Sequence, residues 1–321
     1  MSGTIKLKER DIAIDFVKFI ATLLVLNSHM DACYGKYSFL STGGGIGDAL
    51  FFFVSGFVLF MGRKTDFMNW YKRRINRIYP TILAMGIIAN VVFGKTLSFI
   101  DVLTAQNYWF LQCILVGYIF IYPIIYFANR LSMSISLTLL LVFISFCLFD
   151  FEKQMFYGVD NYFRWIFYFF IMLIGGVVYK RKERILYKHW HIPAIFICVC
   201  IWYGINFLSG YNEYISILSL LPLVGICYFS YSIAKCSLIK RIFETKILGN
   251  ILFIIGGLCL ESYMIQKYII TDTLNNIFPL NIPVIVLLVM IAAYILRIIS
   301  SIISQLFDSK DFNWKSLLLY K

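Results

Sequence analysis

Two ionisable side chains with complementary chemistry lie eleven residues apart in an apolar stretch near the start of the chain. Lys18 and His29 both fall within residues 11–30, which are apolar enough to cross a bilayer. Eleven residues of α-helix return to within about 20° of the starting direction and rise about 16 Å, so these side chains share one face at different depths. Because imidazole exchanges protons near neutral pH, His29 is the candidate general base.

The same face of this helix also carries Asp11, Asp15 and Thr22. Ionisable groups inside a membrane are costly and usually face a bundle interior or a wet cavity, so the polar stripe favours a functional role. A structural alternative stays open for Asp15 and Lys18, which are three residues apart and could simply neutralise each other.

A basic run in residues 70–80 places guanidinium groups just ahead of the third apolar stretch. Arg74 and Arg77 share one helical face, with Arg73 beside them. Guanidinium forks suit phosphate oxygens, so a nucleotide or coenzyme A would fit there. An anchor on anionic lipid headgroups explains the positive charge equally well, and both interpretations stay open at this point.

Two further features concern the second and ninth apolar stretches. Ser55 and Gly56 lie in the middle of the second, where we expect packing or cavity lining because no nucleophile elbow surrounds the serine. Glu261 is a lone carboxylate in the ninth and must be neutralised or paired. Its partner could be a cation of purely structural role, or His29, whose imidazole it would orient.

Composition identifies the class of protein that positions these groups. Of 321 residues, 60% are hydrophobic and 14% are charged. A soluble domain could not cover so much apolar surface, so the sequence predicts one all-α polytopic membrane domain over residues 1–321. The net charge of +12 follows the edges of the apolar stretches, and we expect no nucleic-acid partner. His and Cys spacings indicate no metal site.

Apolar runs of roughly 20 residues, the length that spans a bilayer, predict about ten transmembrane helices. They cover approximately residues 11–30, 45–62, 78–94, 108–128, 132–149, 161–179, 191–209, 212–234, 248–271 and 281–306. Pro222 predicts a kink or a break within the eighth.

The distribution of basic residues predicts the orientation of these spans. Of the 29 Lys and Arg residues, 22 fall on one side, three on the other and four within spans. Cytoplasmic loops are enriched in Lys and Arg, so both termini are predicted to be cytoplasmic. This orientation puts Arg74 and Arg77 on the cytoplasmic side and His29 toward the outside.

In their order and spacing, these residues resemble the integral-membrane acyltransferase family 3, the acyltransferase-3 O-acyltransferases. The matching elements are Lys18 with His29, Ser55-Gly56-Phe57, Arg74 and Arg77 before Pro80, Trp109-Phe110-Leu111 with Tyr118 and Pro123, and Cys259 through Gln266. Two positions depart from the family pattern. Lys18 stands where many members have arginine, and Gln266 stands where many have histidine, so we treat the latter as a secondary position.

The resemblance implies an O-acyltransferase that moves an acyl group, most often acetyl, from cytosolic acyl-CoA to a saccharide hydroxyl. The acceptor would be a cell-envelope or exported saccharide, and the enzyme would lie in the plasma membrane of a bacterium. Acyl-CoA would be the donor substrate, with no tightly bound cofactor.

The resemblance also implies roles for individual residues. His29 would act as a base or as a transient acyl carrier, Lys18 would line or polarise the donor channel, and Glu261 would orient the base. The donor phosphates would lie at the arginines of the basic run, Arg74, Arg77 and Arg73.

Two other classes of membrane protein compete with an enzyme. A transporter or flippase for a glycan or an anionic substrate would suit the many spans and the charged stripe, but the chain has no evident internal repeat. A scaffolding protein would have no use for aligned ionisable residues inside the membrane.

Overall fold

The computed structural model describes residues 11–62, 65–127, 163–307 and 311–317, together with residues 132, 134, 135, 137–139, 141 and 142. Every regular element in these residues is a helix. Both chain termini and most of the predicted fifth span, 132–149, lie outside the described residues.

The α-helices follow the predicted apolar stretches, with several short helices between them. They are α1 Ile12–Asn27, α2 Asp31–Tyr34, α3 Gly44–Met61, α4 Phe67–Val91, α5 Phe99–Leu103, α6 Trp109–Tyr126, α7 Phe163–Arg181, α8 His191–Ser209, α9 Leu220–Ala234, α10 Ser237–Glu244, α11 Leu248–Gly257, α12 Cys259–Ile269 and α13 Asn281–Leu306.

Six helices in the described part of the chain are long and apolar enough to cross a membrane, and two bent pairs raise the number to eight. The bent pairs are α1 with residues 31–40, at 68°, and α11 with α12, at 76°. This is the architecture of an integral membrane protein. The count of ten stays a prediction, because α4 carries the basic run in its first half and the fifth stretch is only partly described.

The predicted first span ends earlier than its apolar composition suggests. The Asp11 side chain caps α1 by accepting a hydrogen bond from Ala13 N at 3.1 Å, as N-cap residues do. The helix ends at Asn27, whose amide nitrogen donates to the carbonyl oxygens of Leu40 and Thr42. His29 therefore lies in the bend that follows α1.

Helices α3 and α7 approach each other closely through glycine. A Cβ added at Gly56 would lie 1.8 Å from the Met172 carbonyl oxygen, and one at Gly175 would lie 2.0 Å from the Phe53 carbonyl oxygen. No side chain fits at either position, so these glycines set the distance between the two backbones. The close packing expected of Gly56 is present.

The basic run belongs to a helix that continues into the third predicted span. Asp66 caps α4 by accepting a hydrogen bond from Asn69 N at 3.0 Å, and this bond lowers the pKa of the Asp66 carboxyl. Farther along, Thr81 and Ser300 share a 2.8 Å hydrogen bond that joins α4 to α13. One helix therefore carries both the arginines and this contact with α13.

Two predicted spans are not continuous α-helices. Residues Glu213–Ser219 form a 3-10 helix before α9, and Pro222 lies in the first turn of α9, where its missing N–H is tolerated. The predicted span 248–271 is broken at Leu258, where α11 turns into α12. Irregular backbone at membrane depth is tolerated where it lines a cavity, and the residues after this break do so.

Candidate active site

A cavity of about 130 Å³, open to its surroundings, lies between α1, α3, α4, α6 and α12. Most of its wall is apolar, and its charged side chains are Lys18, Asp48, Arg74 and Arg77.

The cavity wall includes residues along most of α3. Asp48 lines the cavity near the start of this helix and Leu59 lines it near the end, which corresponds to about 16 Å of helical rise. A Cβ added at Gly62, just beyond α3, would lie 3.3 Å from Arg74 Nη2. The arginines therefore occupy one end of the cavity and Asp48 occupies the other.

Two of the three arginines predicted to bind the donor line the cavity. Arg74 is half-buried, with its guanidinium carbon 5.2 Å from the centre of the Trp70 ring, and Arg77 is exposed. Arg73 is not part of this wall, because its Nη2 donates a 2.6 Å hydrogen bond to Thr65 Oγ1. The pair spaced three residues apart converges as predicted, and its neighbour faces elsewhere.

Lys18 both pairs with Asp15 and lines the cavity. Its ammonium lies 3.5 Å from the Asp15 carboxylate, one turn earlier on α1, and the same side chain lines the cavity. The neutralising pair exists, and the cation also faces the space that Arg74 and Arg77 face.

Helices α1 and α3 run antiparallel, and two close approaches fix their register. A Cβ added at Gly44 would lie 2.6 Å from Ser28 Oγ, and one at Gly47 would lie 2.6 Å from Val25 Cγ2. The start of α3 is therefore level with the end of α1.

This register places His29 beyond the Asp48 end of the cavity. His29 adjoins Ser28, which is level with Gly44, and Asp48 lies four residues deeper along α3, a rise of about 6 Å. The imidazole is exposed in the bend and is not among the residues that line the cavity. Lys18 therefore lines the cavity and His29 does not, because α1 ends at Asn27 and the helical face predicted to carry both residues stops before His29.

Glu261 has a cationic partner other than the predicted base. Its Oε1 lies 3.4 Å from Arg297 Nη1, and the residue is 1% exposed. This ion pair joins α12 to α13. The observed contact corresponds to the alternative in which Glu261 pairs with a cation of structural role. The residues just before Glu261, Cys259 and Leu260, line the cavity at the start of α12.

Sequence reasoning did not single out Asp48. The carboxylate lies one turn into an apolar span, and the rule that intramembrane ionisable groups are functional candidates would have found it. Arg164 attracts it electrostatically. Arg164 is itself buried, with its guanidinium carbon 3.6 Å from the centre of the Trp109 ring.

Two further polar pairs each include a serine. Ser55 Oγ lies 3.1 Å from Tyr118 OH, and both side chains line the cavity near Arg74. The remaining described histidines lie elsewhere; His191 Nδ1 lies 2.8 Å from Ser232 Oγ in a buried pair between α8 and α9. Within the described residues, no group of three His, Cys, Asp or Glu side chains could hold a metal ion.

Comparison with known proteins identifies the family to which this chain belongs. Residues 11–303 match a family model described as an acyltransferase domain, and this range includes every residue of the cavity wall. The chain belongs to the acyltransferase-3 family. The resemblance found from Lys18, Arg74 and the later motifs is confirmed.

One relative of this family member carries a more specific name. The chain is 30% identical over 90 residues to a protein named "O-acetyl transferase" from Shigella phage Sf6. The aligned region covers 26% of this chain and 27% of the relative, so the similarity spans about a quarter of each protein. No solved structure matches the chain.

Proposed function

We propose that this acyltransferase moves an acetyl group from acetyl-CoA to a hydroxyl of a cell-envelope or exported saccharide. The hydroxyl oxygen forms a bond to the thioester carbonyl carbon, the carbon–sulfur bond breaks, and coenzyme A leaves as its thiol. The observation that carries this proposal is the convergence of Lys18, Arg74 and Arg77 on one cavity.

At the arginine end, the donor's phosphates bind Arg74 and Arg77. The two guanidinium groups lie three residues apart on α4 and line the cavity together, and charge-assisted hydrogen bonds to phosphate are the strong ones. The pantetheine arm then extends through the apolar section of the cavity. Lys18 lies along this course and lines the donor channel with positive charge.

At the other end, His29 serves the acceptor. The imidazole takes the proton of the attacking hydroxyl, or its nitrogen carries the acetyl group transiently. Its exposed position in the bend after α1 supports this assignment, because a saccharide outside the bundle could reach it. Donor and acceptor would then meet from opposite ends of one passage.

This division requires the arginine end to face the cytosol, where acyl-CoA is made. We therefore retain the topology of about ten spans with both termini in the cytoplasm, in the plasma membrane of a bacterium. The asymmetry of 22 Lys and Arg residues against three supports it. A reporter fused after Lys321 should report a cytoplasmic location.

Protection of a cavity cysteine tests the donor site. Cys259 lines the cavity within electrostatic range of Lys18 and Arg77. In a variant that keeps Cys259 alone of the eight cysteines, acetyl-CoA should slow labelling by N-ethylmaleimide. A matched variant that keeps only Cys236, between α9 and α10, should label at an unchanged rate.

The reaction itself is tested in the native host. Cells that lack the gene should lose ester-linked acetate from their envelope glycans, and the wild-type gene should restore it. Unprotected Cys259 together with unchanged glycan acetate in the deleted cells would contradict the proposed function.

A further inference from the structure

Asp48 fills the gap in the polar stripe between Lys18 and His29. It comes from a different helix, α3, and enters the cavity at a depth between these two residues of α1. A rise of about 16 Å separates it from Leu59 at the arginine end. An extended pantetheine arm that starts at phosphates on Arg74 has a comparable length, so the donor's sulfur would lie beside Asp48.

The charged and titratable groups around Asp48 come from four other helices. Lys18 of α1 and Tyr263 of α12 line the same cavity. Arg164 of α7 attracts the carboxylate, and Cys113 of α6 interacts with it electrostatically. No second carboxylate lines this cavity among the described residues, so Asp48 is its single acidic group.

We infer that Asp48 is a catalytic residue that supplies a proton to the sulfur of departing coenzyme A. The inference rests on the proposed function and completes its proton balance. His29 takes the proton of the acceptor hydroxyl, and protonated Asp48 gives its proton to the sulfur as the carbon–sulfur bond breaks. His29 then returns its proton to Asp48 through water, so acetyl-CoA and the alcohol give the ester and free thiol with no further reactant.

The position of Asp48 on α3 suits separate roles for Asp48 as the acid and His29 as the base. His29 lies about one helical turn of rise beyond Asp48, which separates the base at the acceptor from the acid at the sulfur. An aspartate whose sole purpose was to pair with Arg164 would have no need of a position on the cavity wall. Arg164 also has a second contact, the Trp109 ring at 3.6 Å.

The effect of losing the acid follows from its chemistry. General acid catalysis contributes about 10²- to 10⁴-fold to a rate, so Asp48→Asn should lower kcat by about 100-fold or more. The KM for acetyl-CoA should stay near the wild-type value, because the phosphates bind elsewhere. Asp272→Asn, which removes an exposed carboxylate, is the matched control and should keep full activity.

The pH profile separates a catalytic Asp48 from a structural one. A general acid must be protonated, so the wild-type kcat should fall as pH rises past the range in which Asp48 holds its proton. In Asp48→Asn the small remaining rate should rise with deprotonation of His29 and then stay constant at high pH. A structural role would leave the high-pH fall in place.

The experiment uses membrane vesicles of the native host, with the gene deleted and each variant supplied. Radiolabelled acetyl-CoA is added, and base-labile label is counted in the glycan fraction from pH 5 to 9. We expect Asp48→Asn to lose kcat and the high-pH fall while acetyl-CoA still protects Cys259. Undiminished transfer, a persistent high-pH fall, or lost protection of Cys259 would each overturn the inference.

A second variant covers the case in which Asp48→Asn does not accumulate. Asp48→Glu keeps the carboxyl group, so it should transfer acetyl with the high-pH fall retained; a folded Asp48→Glu protein that lacks this fall would overturn the inference. If wild-type vesicles transfer no acetyl at all, the proposed function fails first. If His29→Ala is inactive while Asp48→Asn is fully active, the role of Asp48 alone fails.

Discussion

The ammonium of Lys18 lies 3.5 Å from the Asp15 carboxylate, and the same lysine side chain lines the cavity that Arg74 and Arg77 also line. One residue therefore balances a buried carboxylate and presents positive charge to the proposed donor site. Asp15 is 6% exposed, and a buried charge that loses its partner is strongly destabilising. A single substitution at Lys18 would remove both roles at once. A double variant is therefore needed to measure them separately.

Lys18→Met should lower both protein stability and activity, and Asp15→Asn should repair only the stability. Asparagine removes the charge that Lys18 neutralises, so the double variant Asp15→Asn/Lys18→Met should accumulate like the wild type. Its acetyl transfer should stay at least about 10-fold reduced, since losing this cation from the donor channel costs about as much as losing one hydrogen bond to a charged group. Transfer at the wild-type rate by the double variant would reduce Lys18 to a neutralising role.

Arg74→Ala should weaken acetyl-CoA binding far more than Arg73→Ala. Loss of a hydrogen bond to a charged group costs about 1.5–3 kcal/mol, which corresponds to a loss of roughly tenfold or more in affinity. Arg73 donates to Thr65 instead of facing the cavity. The concentration of acetyl-CoA that half-protects Cys259 measures the difference.

The matched control for the arginines is Arg241→Ala, which removes an exposed guanidinium from α10. It should leave protection unchanged. Equal effects of the substitutions at positions 73, 74 and 241 would return the basic run to a lipid-anchoring role.

Glu261 and Arg297 should be replaceable as a pair. Removing Arg297 from the 3.4 Å ion pair leaves the buried Glu261 carboxylate uncompensated, which is destabilising. Replacing both by leucine should recover thermal stability in detergent and acetyl transfer. A stable but inactive Glu261→Leu/Arg297→Leu protein would show instead that Glu261 acts in the chemistry, as the family resemblance implies.

Gly56→Ala should prevent the protein from accumulating in folded form. The added Cβ would lie 1.8 Å from a backbone oxygen of α7, and backbone cannot move aside as a flexible side chain can. Gly204→Ala is the matched control, since nothing lies within 4 Å of its Cβ position. Fluorescence-detected size-exclusion chromatography after heating measures both, and equal stability of the two variants would contradict the packing described here.

A helix fixes which of its residues share a face, so periodicity could predict that Arg74 and Arg77 face the same way. The structure places both on the wall of one cavity together with Lys18. Periodicity could not predict which helices pack together. The pairing of Glu261 with Arg297 and the position of Asp48 opposite α1 depend on packing between distant parts of the chain.

The structure differs from the predicted spans at the break near Leu258 and at the end of α1. Gly256 and Gly257 precede the break at Leu258, and two glycines in an apolar stretch could have indicated it. His29 was assigned to the first span by composition, but α1 ends at Asn27 and leaves it in a bend. An apolar run shows which residues a membrane can accommodate, but it does not show where a helix ends.

The most direct test of the proposed function is acetyl transfer by His29→Ala in the deleted native host, with ester-linked acetate on envelope glycans measured by mass spectrometry. His189→Ala, which removes an exposed histidine away from the cavity, is the control. We expect His29→Ala to insert, to let acetyl-CoA protect Cys259 and to leave the glycans without ester-linked acetate, while His189→Ala restores it fully. Wild-type acetate levels in cells that carry His29→Ala would contradict the proposal.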